Sequence, residues 1–305
     1  MEEQAVPSRR GCGAAATYYL AVEAHPEFRQ RQRELEDATA ERMAFGTAVL
    51  TAEGLITIPI VVHVVHNKRV ENISKAQIES QISVLNKDFR AKNRDRSKVP
   101  AAWKGLVADT NIQFALASED PAGNTTTGIT RKRTDRAEFG IDDSVKSAAT
   151  GGVDPWPTDK YLNVWVCTLV GGLLGYAQFP GGPASTDGVV ILNTAFGTRG
   201  TAAAPFNKGR TATHEIGHFL NLRHIFGSDE TCGAGDRVAD TPNQAEPNYG
   251  KPNFPHVSCN NGPNGDMFMN YMDYVDYDSM FMFTPQQVAR MMATLEGPRS
   301  TLGRT

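Results

Sequence analysis

The chain has 305 residues, of which 40% are hydrophobic and 21% are charged, as in ordinary soluble globular proteins. Its net charge of −3 gives no electrostatic basis for binding nucleic acid or an anionic membrane surface. The sequence contains no apolar run of about 18 residues, so no membrane span is predicted, and no secretory signal is visible at the N-terminus.

The predicted elements begin with an irregular stretch over 1–17, followed by a charged, exposed helix over 27–43. The run 56–66 is almost entirely β-branched and predicts a strand, whereas 74–89 has apolar residues at helical spacing behind a Ser cap. Further strands are predicted over 111–117, 161–170, 173–179 and 188–193, and helices over 209–220 and 285–295. This alternation predicts a mixed α/β layer.

Residues 214–224 contain three of the seven histidines of the chain. His214 and His218 are four residues apart, so on a helix both imidazoles can bind one metal ion. His224 follows a predicted helix break and can supply a third nitrogen, which leaves one position open for water, as in catalytic zinc sites. Glu215 can then take the proton of that water. The pattern predicts zinc-dependent hydrolysis; the alternative is a chance surface motif, which the apolar neighbours argue against.

The pattern His-Glu-x-x-His-x-x-Asn-x-x-His resembles the metzincin signature, in which glycine normally occupies the eighth position. Asn221 stands there, and Asn is the next most tolerant residue of a left-handed backbone. The resemblance implies that Met272 forms a methionine turn beneath the metal and that Tyr274 stabilises the oxyanion. Packing within an aromatic cluster is the alternative for Tyr274.

Further segments resemble the pappalysin family of metzincins. They are 58–65, 81–89, 156–157, 161–166, 174–181, 235–242, 270–274 and 282–284. The resemblance implies an α/β (α+β) fold: a metzincin-type zincin catalytic domain over 55–305, with an upper mixed-sheet and helix subdomain over about 55–221 and a lower irregular subdomain with a C-terminal helix over about 222–305. A peptide would lie extended between them, paired with a rim strand. The rim residues are Gly175, Tyr176 and Ala177.

The resemblance also implies a calcium site, since some relatives bind calcium in the matching loop. Its ligands would be oxygens of Asp236, Ala239 and Thr241, donors that suit a hard cation. The alternative is that Asp236 and Asp240 only cap turns in a polar loop.

Four cysteines are too few for a scaffold built from disulfides. Cys232 and Cys259 lie in a Gly-, Pro- and Asn-rich region and could form one bridge, which the resemblance also implies. Cys167 lies in an apolar run and is predicted to be a buried free thiol.

The N-terminal motif Arg10-Gly-Cys-Gly resembles an Arg-x-Cys-Gly element of pro-segments in this family. The resemblance implies that 1–54 is a pro-segment in which Cys12 binds zinc and keeps the enzyme latent, since thiolate is a strong zinc ligand. A disordered tail with an incidental cysteine is the alternative.

We therefore predict a zinc metalloendopeptidase, made as a latent zymogen, that acts as a monomer on protein or peptide substrates and is secreted or periplasmic. The alternatives are a zinc-dependent hydrolase of non-peptide amides and a non-catalytic zinc-containing binding module. Relatives that prefer basic residues carry an acidic residue five positions after the turn methionine. Tyr277 stands there, so the cleavage-site preference, like the physiological substrate and the activation site, does not follow from the sequence.

Overall fold

The computed structural model describes residues 7–24, 26–45, 54–227, 231–233 and 235–303. The helices within these ranges are α1 Ala14–Ala24, α2 Pro26–Phe45, α3 Lys75–Asp88, α4 Arg210–Phe219 and α5 Pro285–Glu296. The strands are β1 Ile56–His66, β2 Ile112–Leu116, β3 Ile129–Arg133, β4 Leu162–Cys167, β5 Gly175–Ala177 and β6 Val189–Leu192. The predicted mixed α/β architecture is confirmed.

The strands form one sheet in the order β2-β1-β4-β6-β5, with β3 also paired to β1. β1 pairs in parallel with β2 along its first half, with β3 along its second half and with β4 on its other edge. Strands covered in this way are buried on both faces, which explains the near-continuous apolar run of β1. β5 runs antiparallel to β6 and ends the sheet on the side that faces α4.

Two helices begin at side-chain caps that the sequence contains. Ser74 accepts a hydrogen bond from the backbone N–H of Gln77, as predicted for the start of α3. Thr284 and Gln287 form a reciprocal capping box at the start of α5. Among the described residues, no helix is both long and apolar enough to cross a membrane.

Two predictions about elements need correction, and one strand was missed. The stretch 1–17 is not irregular to its end, because α1 begins at Ala14. The helix predicted over 27–43 is present as α2, but one of its faces is buried against α1 and α5 rather than exposed. β3 was not predicted because its polar residues leave no apolar alternation to recognise. The stretch 46–53, in which the predicted N-terminal segment ends, lies outside the described residues.

Candidate metal centre and active site

The three predicted ligands converge because α4 ends abruptly. Asn221 adopts a left-handed backbone with φ of 70°, the conformation predicted for the eighth position of the motif. The N–H groups of Asn221 and Leu222 donate to the carbonyls of His218 and Gly217, which closes the helix. The chain then turns back and carries His224 towards the helix face that bears His214 and His218.

The ring nitrogens of the three histidines meet at one point. Nε2 of His218 lies 3.0 Å from Nε2 of His214 and 3.0 Å from Nε2 of His224. The Sγ atom of Cys12 completes a group whose four ligand atoms all lie within 4.8 Å of one another. All three imidazoles are buried. The structure therefore brings together the three predicted zinc ligands and Cys12.

Hydrogen bonds of the Nδ1 atoms determine which ring nitrogen carries the proton in two of these histidines. Nδ1 of His214 donates to the carbonyl of Tyr271 at 2.7 Å, and Nδ1 of His218 donates to the carbonyl of Leu222 at 2.8 Å. Burial lowers the pKa of His214 well below its ordinary value and that of His218 to about 3, so both rings are neutral. Their Nε2 atoms are then unprotonated, and two lone pairs face each other. A cation between them would resolve this arrangement, and imidazole nitrogens fit zinc.

Met272 lies directly beneath the ligand-bearing helix. It is fully buried, and its backbone N–H donates to the side chain of Asn270. A Cβ atom placed on Gly217 would lie 2.5 Å from the Met272 sulfur, so the turn packs against α4 where the helix has no side chain. Met272 thus stands where the methionine turn was expected, in a packing role.

Glu215 and Tyr274 border the group of histidines. Oε2 of Glu215 accepts a hydrogen bond from the Cys12 thiol at 3.4 Å, and Oε1 has no hydrogen-bond partner among the described residues. Burial raises the pKa of Glu215 to about 7, against the opposing charge of Arg10. The Tyr274 hydroxyl lies 3.2 Å from Nε2 of His224, and burial keeps it protonated by raising its pKa. Its ring also packs against neighbouring aromatic rings, so the packing and the position near the metal site coexist.

The predicted rim strand is β5, which carries all three predicted rim residues. Gly175 lies so close to α4 that an added Cβ would stand 3.0 Å from Cγ of Glu215. The Tyr176 side chain is buried in the core. The outer edge of β5 is occupied by the N-terminal segment: the N–H of Gly13 donates to the carbonyl of Gly175, and Cys12 forms a parallel bridge with Gly175. Thr17 donates to the carbonyl of Ala177.

Arg10 is a site residue whose position the sequence did not reveal. It is 3% exposed, and its guanidinium lies 5.9 Å from the ring centroid of Tyr274 and 5.7 Å from that of Tyr277. Its Nη1 contacts the Met280 sulfur at 3.5 Å. The cation thus fills an aromatic pocket beside the histidines. The only signal in the sequence was its place two residues before Cys12.

The loop predicted to bind calcium is held by hydrogen bonds within the protein. Thr241 donates to the Asp236 carboxylate at 2.8 Å, and burial raises the pKa of Asp236 to about 7. Ala239 uses its N–H to donate to Gln286, and no hydrogen bond among the described residues joins it to Asp236 or Thr241. Asp240 accepts hydrogen bonds from Thr284 and from the N–H of Gln286, so it caps the start of α5.

The cysteines lie as predicted. Cys232 and Cys259 form a disulfide with a Cα–Cα distance of 5.2 Å. Cys167 is a buried free thiol, and burial raises its pKa.

This chain matches a peptidase family, a relative of known activity class and solved structures. A peptidase family described as pregnancy-associated plasma protein-A matches residues 147–296. An extracellular metalloprotease of Colletotrichum graminicola is 33% identical over 95% of this chain and 92% of its own length. A promirolysin mutant from Tannerella forsythia is 45% identical, covers 96% of each chain and has a TM-score of 0.88. Mature mirolysin from Tannerella forsythia, solved in complex with a cleaved peptide, is 52% identical over 78% of this chain and 91% of its own, with a TM-score of 0.77.

Proposed function

The chain belongs to the pappalysin family of metzincin zinc metalloproteases, and from this we propose that it is an exported endopeptidase made in a latent form. The proposal that the chain is catalytic rests on one observation. Three buried imidazoles converge beside a glutamate that keeps one oxygen without a hydrogen-bond partner among the described residues. A purely structural zinc site would need no such carboxylate. Curated relatives named as extracellular metalloproteases support export.

His214, His218 and His224 would hold the zinc. When bound, zinc acidifies water and polarises a carbonyl group. Glu215 would take a proton from the attacking water through its unpaired oxygen and deliver it to the leaving amine. The Tyr274 hydroxyl, held protonated by burial, would donate a hydrogen bond to the carbonyl oxygen as negative charge develops there.

The edge of β5 supports peptides as substrates rather than small non-peptide amides. Backbone groups of Leu174 and Gly175 already pair with an extended segment of the chain itself, residues 11–13. An edge strand that accepts one extended segment can accept another by the same backbone hydrogen bonds. Mature mirolysin was solved in complex with a cleaved peptide, which supports peptides as substrates.

Glu215→Ala tests the proposed chemistry. In protein activated by proteolysis, we expect zinc content to be unchanged and cleavage of casein to be lost, because the ligands remain while the proton acceptor is gone. Glu138→Ala, at an exposed glutamate, is the matched control and should cleave casein normally. Full cleavage by the Glu215 variant would contradict the proposed role. Zinc binding without casein cleavage by the activated wild-type protein would favour the binding module.

We further propose that residues 1–54 are the pro-segment and that Cys12 acts as the latency switch. The pro-form of mirolysin matches 96% of this chain and the mature form only 78%, which supports an N-terminal segment removed on activation. Cys12 lies within reach of the same point as the three histidines. Cys12→Ala in the full chain should therefore show activity before any cleavage, whereas Cys12→Ser should be intermediate. Unchanged latency in both variants would remove the switch.

Calcium binding at Asp236 stays a proposal as well. A buried carboxylate with a raised pKa gains most from a nearby cation. Addition of Ca²⁺ to the chelator-washed protein should raise its unfolding temperature more than Mg²⁺ does, and Asp236→Asn should remove the difference. Equal effects of the two ions would contradict a calcium site.

A further inference from the structure

Glu36 on α2 is held by arginines that lie far from it in the sequence. Arg290 donates to both of its oxygens, at 2.7 and 3.1 Å. Arg237 lies 3.0 Å from one oxygen, and Arg223 lies 3.7 Å from the other. Burial alone would favour the neutral acid, but the hydrogen bonds from Arg290 hold the pKa of Glu36 below its ordinary value. The carboxylate is therefore charged, bidentate and enclosed.

The arginines outnumber the carboxylate that joins them. Among the described residues, Glu36 is the acid that pairs with all three, which leaves a surplus of positive charge. The buried Nε of Arg223 has no hydrogen-bond partner in the same ranges. Asp236 is close enough for its charge to interact with that of Arg290, but its oxygens already accept hydrogen bonds from the loop around it. The cluster is therefore suited to binding a carboxylate from outside the catalytic domain.

The arginine cluster is built into the helix break that positions the metal ligands. Arg290 donates to the carbonyl of Asn221, and Arg223 directly precedes His224. A cavity lined by His218, Arg223 and His224 lies beneath α1, and Arg223 also lines the neighbouring cavity that contains Glu36. Arg223 therefore connects the arginine cluster to the cleft that holds the three histidines.

The N-terminal segment traces a path across this cleft. Arg10 fills the aromatic pocket, Cys12 lies at the histidines, and the chain continues through α1 to Glu36 at the arginines. A peptide bound on the same edge of β5 would take the place of this segment, and its side chains would then face the aromatic pocket and the cavity that Arg223 lines. Removal of the proposed pro-segment would take the Glu36 carboxylate away and leave the three arginines in the catalytic domain.

We propose that Arg223, Arg237 and Arg290 form a carboxylate subsite of the activated enzyme that takes an acidic side chain of the bound peptide. In the latent form Glu36 occupies this subsite as an internal ligand. The inference rests on the proposed peptidase function, because it assigns the ligand of the same cleft. It predicts selectivity for a glutamate or aspartate at a fixed distance from the cleaved bond.

Cleavage of matched peptides tests the selectivity. The zinc-loaded full chain is activated by proteolysis and given peptides that differ only by Glu or Gln, scanned through each position. At one position we expect Glu to raise kcat/KM about tenfold, mainly through KM, as for a charged hydrogen bond in a partly enclosed site. Arg237→Gln should bring the ratio of kcat/KM for the Glu peptide to that for the Gln peptide towards one. Arg237→Lys should keep part of the preference for Glu. Arg133→Gln, on β3 at the opposite edge of the sheet, should leave it unchanged.

A binding measurement decides the question without catalysis. A labelled peptide of residues 26–45 is titrated into the proteolysed Glu215→Ala protein, in versions with Glu or Gln at position 36. Weaker binding of the Gln version, by about tenfold and only with Arg237 intact, supports the subsite. Equal binding of the two versions, or equal cleavage of all Glu and Gln pairs, overturns it. Absence of cleavage by the wild-type enzyme together with selective binding would refute the peptidase function and leave the subsite standing.

Discussion

Gly175→Ala should loosen the contact between the rim strand and the catalytic helix. The added Cβ would lie 2.8 Å from the carbonyl oxygen of Val190 and 3.0 Å from side-chain atoms of both Thr211 and Glu215. The Val190 oxygen belongs to the backbone of β6 and cannot rotate away. The strand must therefore shift outwards, and overpacking of this kind costs about 1–3 kcal/mol of the free energy of unfolding.

The same contact should reduce activity, because one of the crowded atoms is Cγ of Glu215, the proposed proton acceptor on α4. A misplacement of about 1 Å can lower kcat/KM on the order of 100-fold. Urea unfolding and peptide cleavage measure the two effects separately. Gly105→Ala is the control, since nothing lies within 4 Å of its added Cβ, and its stability should change by less than about 1 kcal/mol. If the two variants unfold at the same urea concentration and cleave equally, the close approach at Gly175 is not required.

Three further predictions concern the helix break, the core and the metal. Asn221→Ala should lower the free energy of unfolding by about 1 kcal/mol, because alanine disfavours φ of 70°, whereas Asn221→Gly should stay near wild type; the reverse order in urea unfolding would contradict this. Burial holds the pKa of His63 at about 4, below its ordinary 6.5, so protonation of this ring stabilises the unfolded chain relative to the folded one. Between pH 7 and pH 5, the free energy of unfolding should therefore fall by about 2 kcal/mol more in the wild-type protein than in His63→Gln. Parallel pH profiles of the two proteins would refute this. Removal of zinc with a chelator should lower the thermal midpoint and zinc should restore it, because a metal bound by the folded state stabilises that state; an unchanged midpoint would argue against the histidine site.

The fold could be predicted where burial leaves a periodic pattern. β1 is covered on both edges and both faces, so its β-branched run identified it directly. α3 showed its cap at Ser74 and its apolar face. β3 lies on the same edge of β1 as β2, and its polar side chains give no alternating pattern. The start of α1 at Ala14 was hidden by a Gly- and Ala-rich sequence with no amphipathic signal.

The candidate site could be predicted where its geometry is local. His214 and His218 are one helical turn apart, so their spacing alone implies a shared metal. The role of Glu36 could not be predicted in this way, because it meets Arg290 across 254 residues of sequence. Nothing in α2 marks that glutamate among the other charged residues of the helix. Such contacts depend on the packing of α2 against α5, which composition and periodicity do not specify.

The pairing of residues 11–13 with β5 has a consequence for competition between ligands. The segment belongs to the same chain as the cleft that it fills, so it competes with free peptides at an effective concentration in the millimolar range. Cleavage between α2 and β1 would turn this internal equilibrium into an encounter of two molecules, and the released segment would dilute to its bulk concentration. A modest set of contacts is therefore enough to block the cleft before cleavage and too weak to block it afterwards. If residues 1–54 are the pro-segment, as we propose, one cut in the connecting stretch would be enough for activation, with no need to destroy the segment itself.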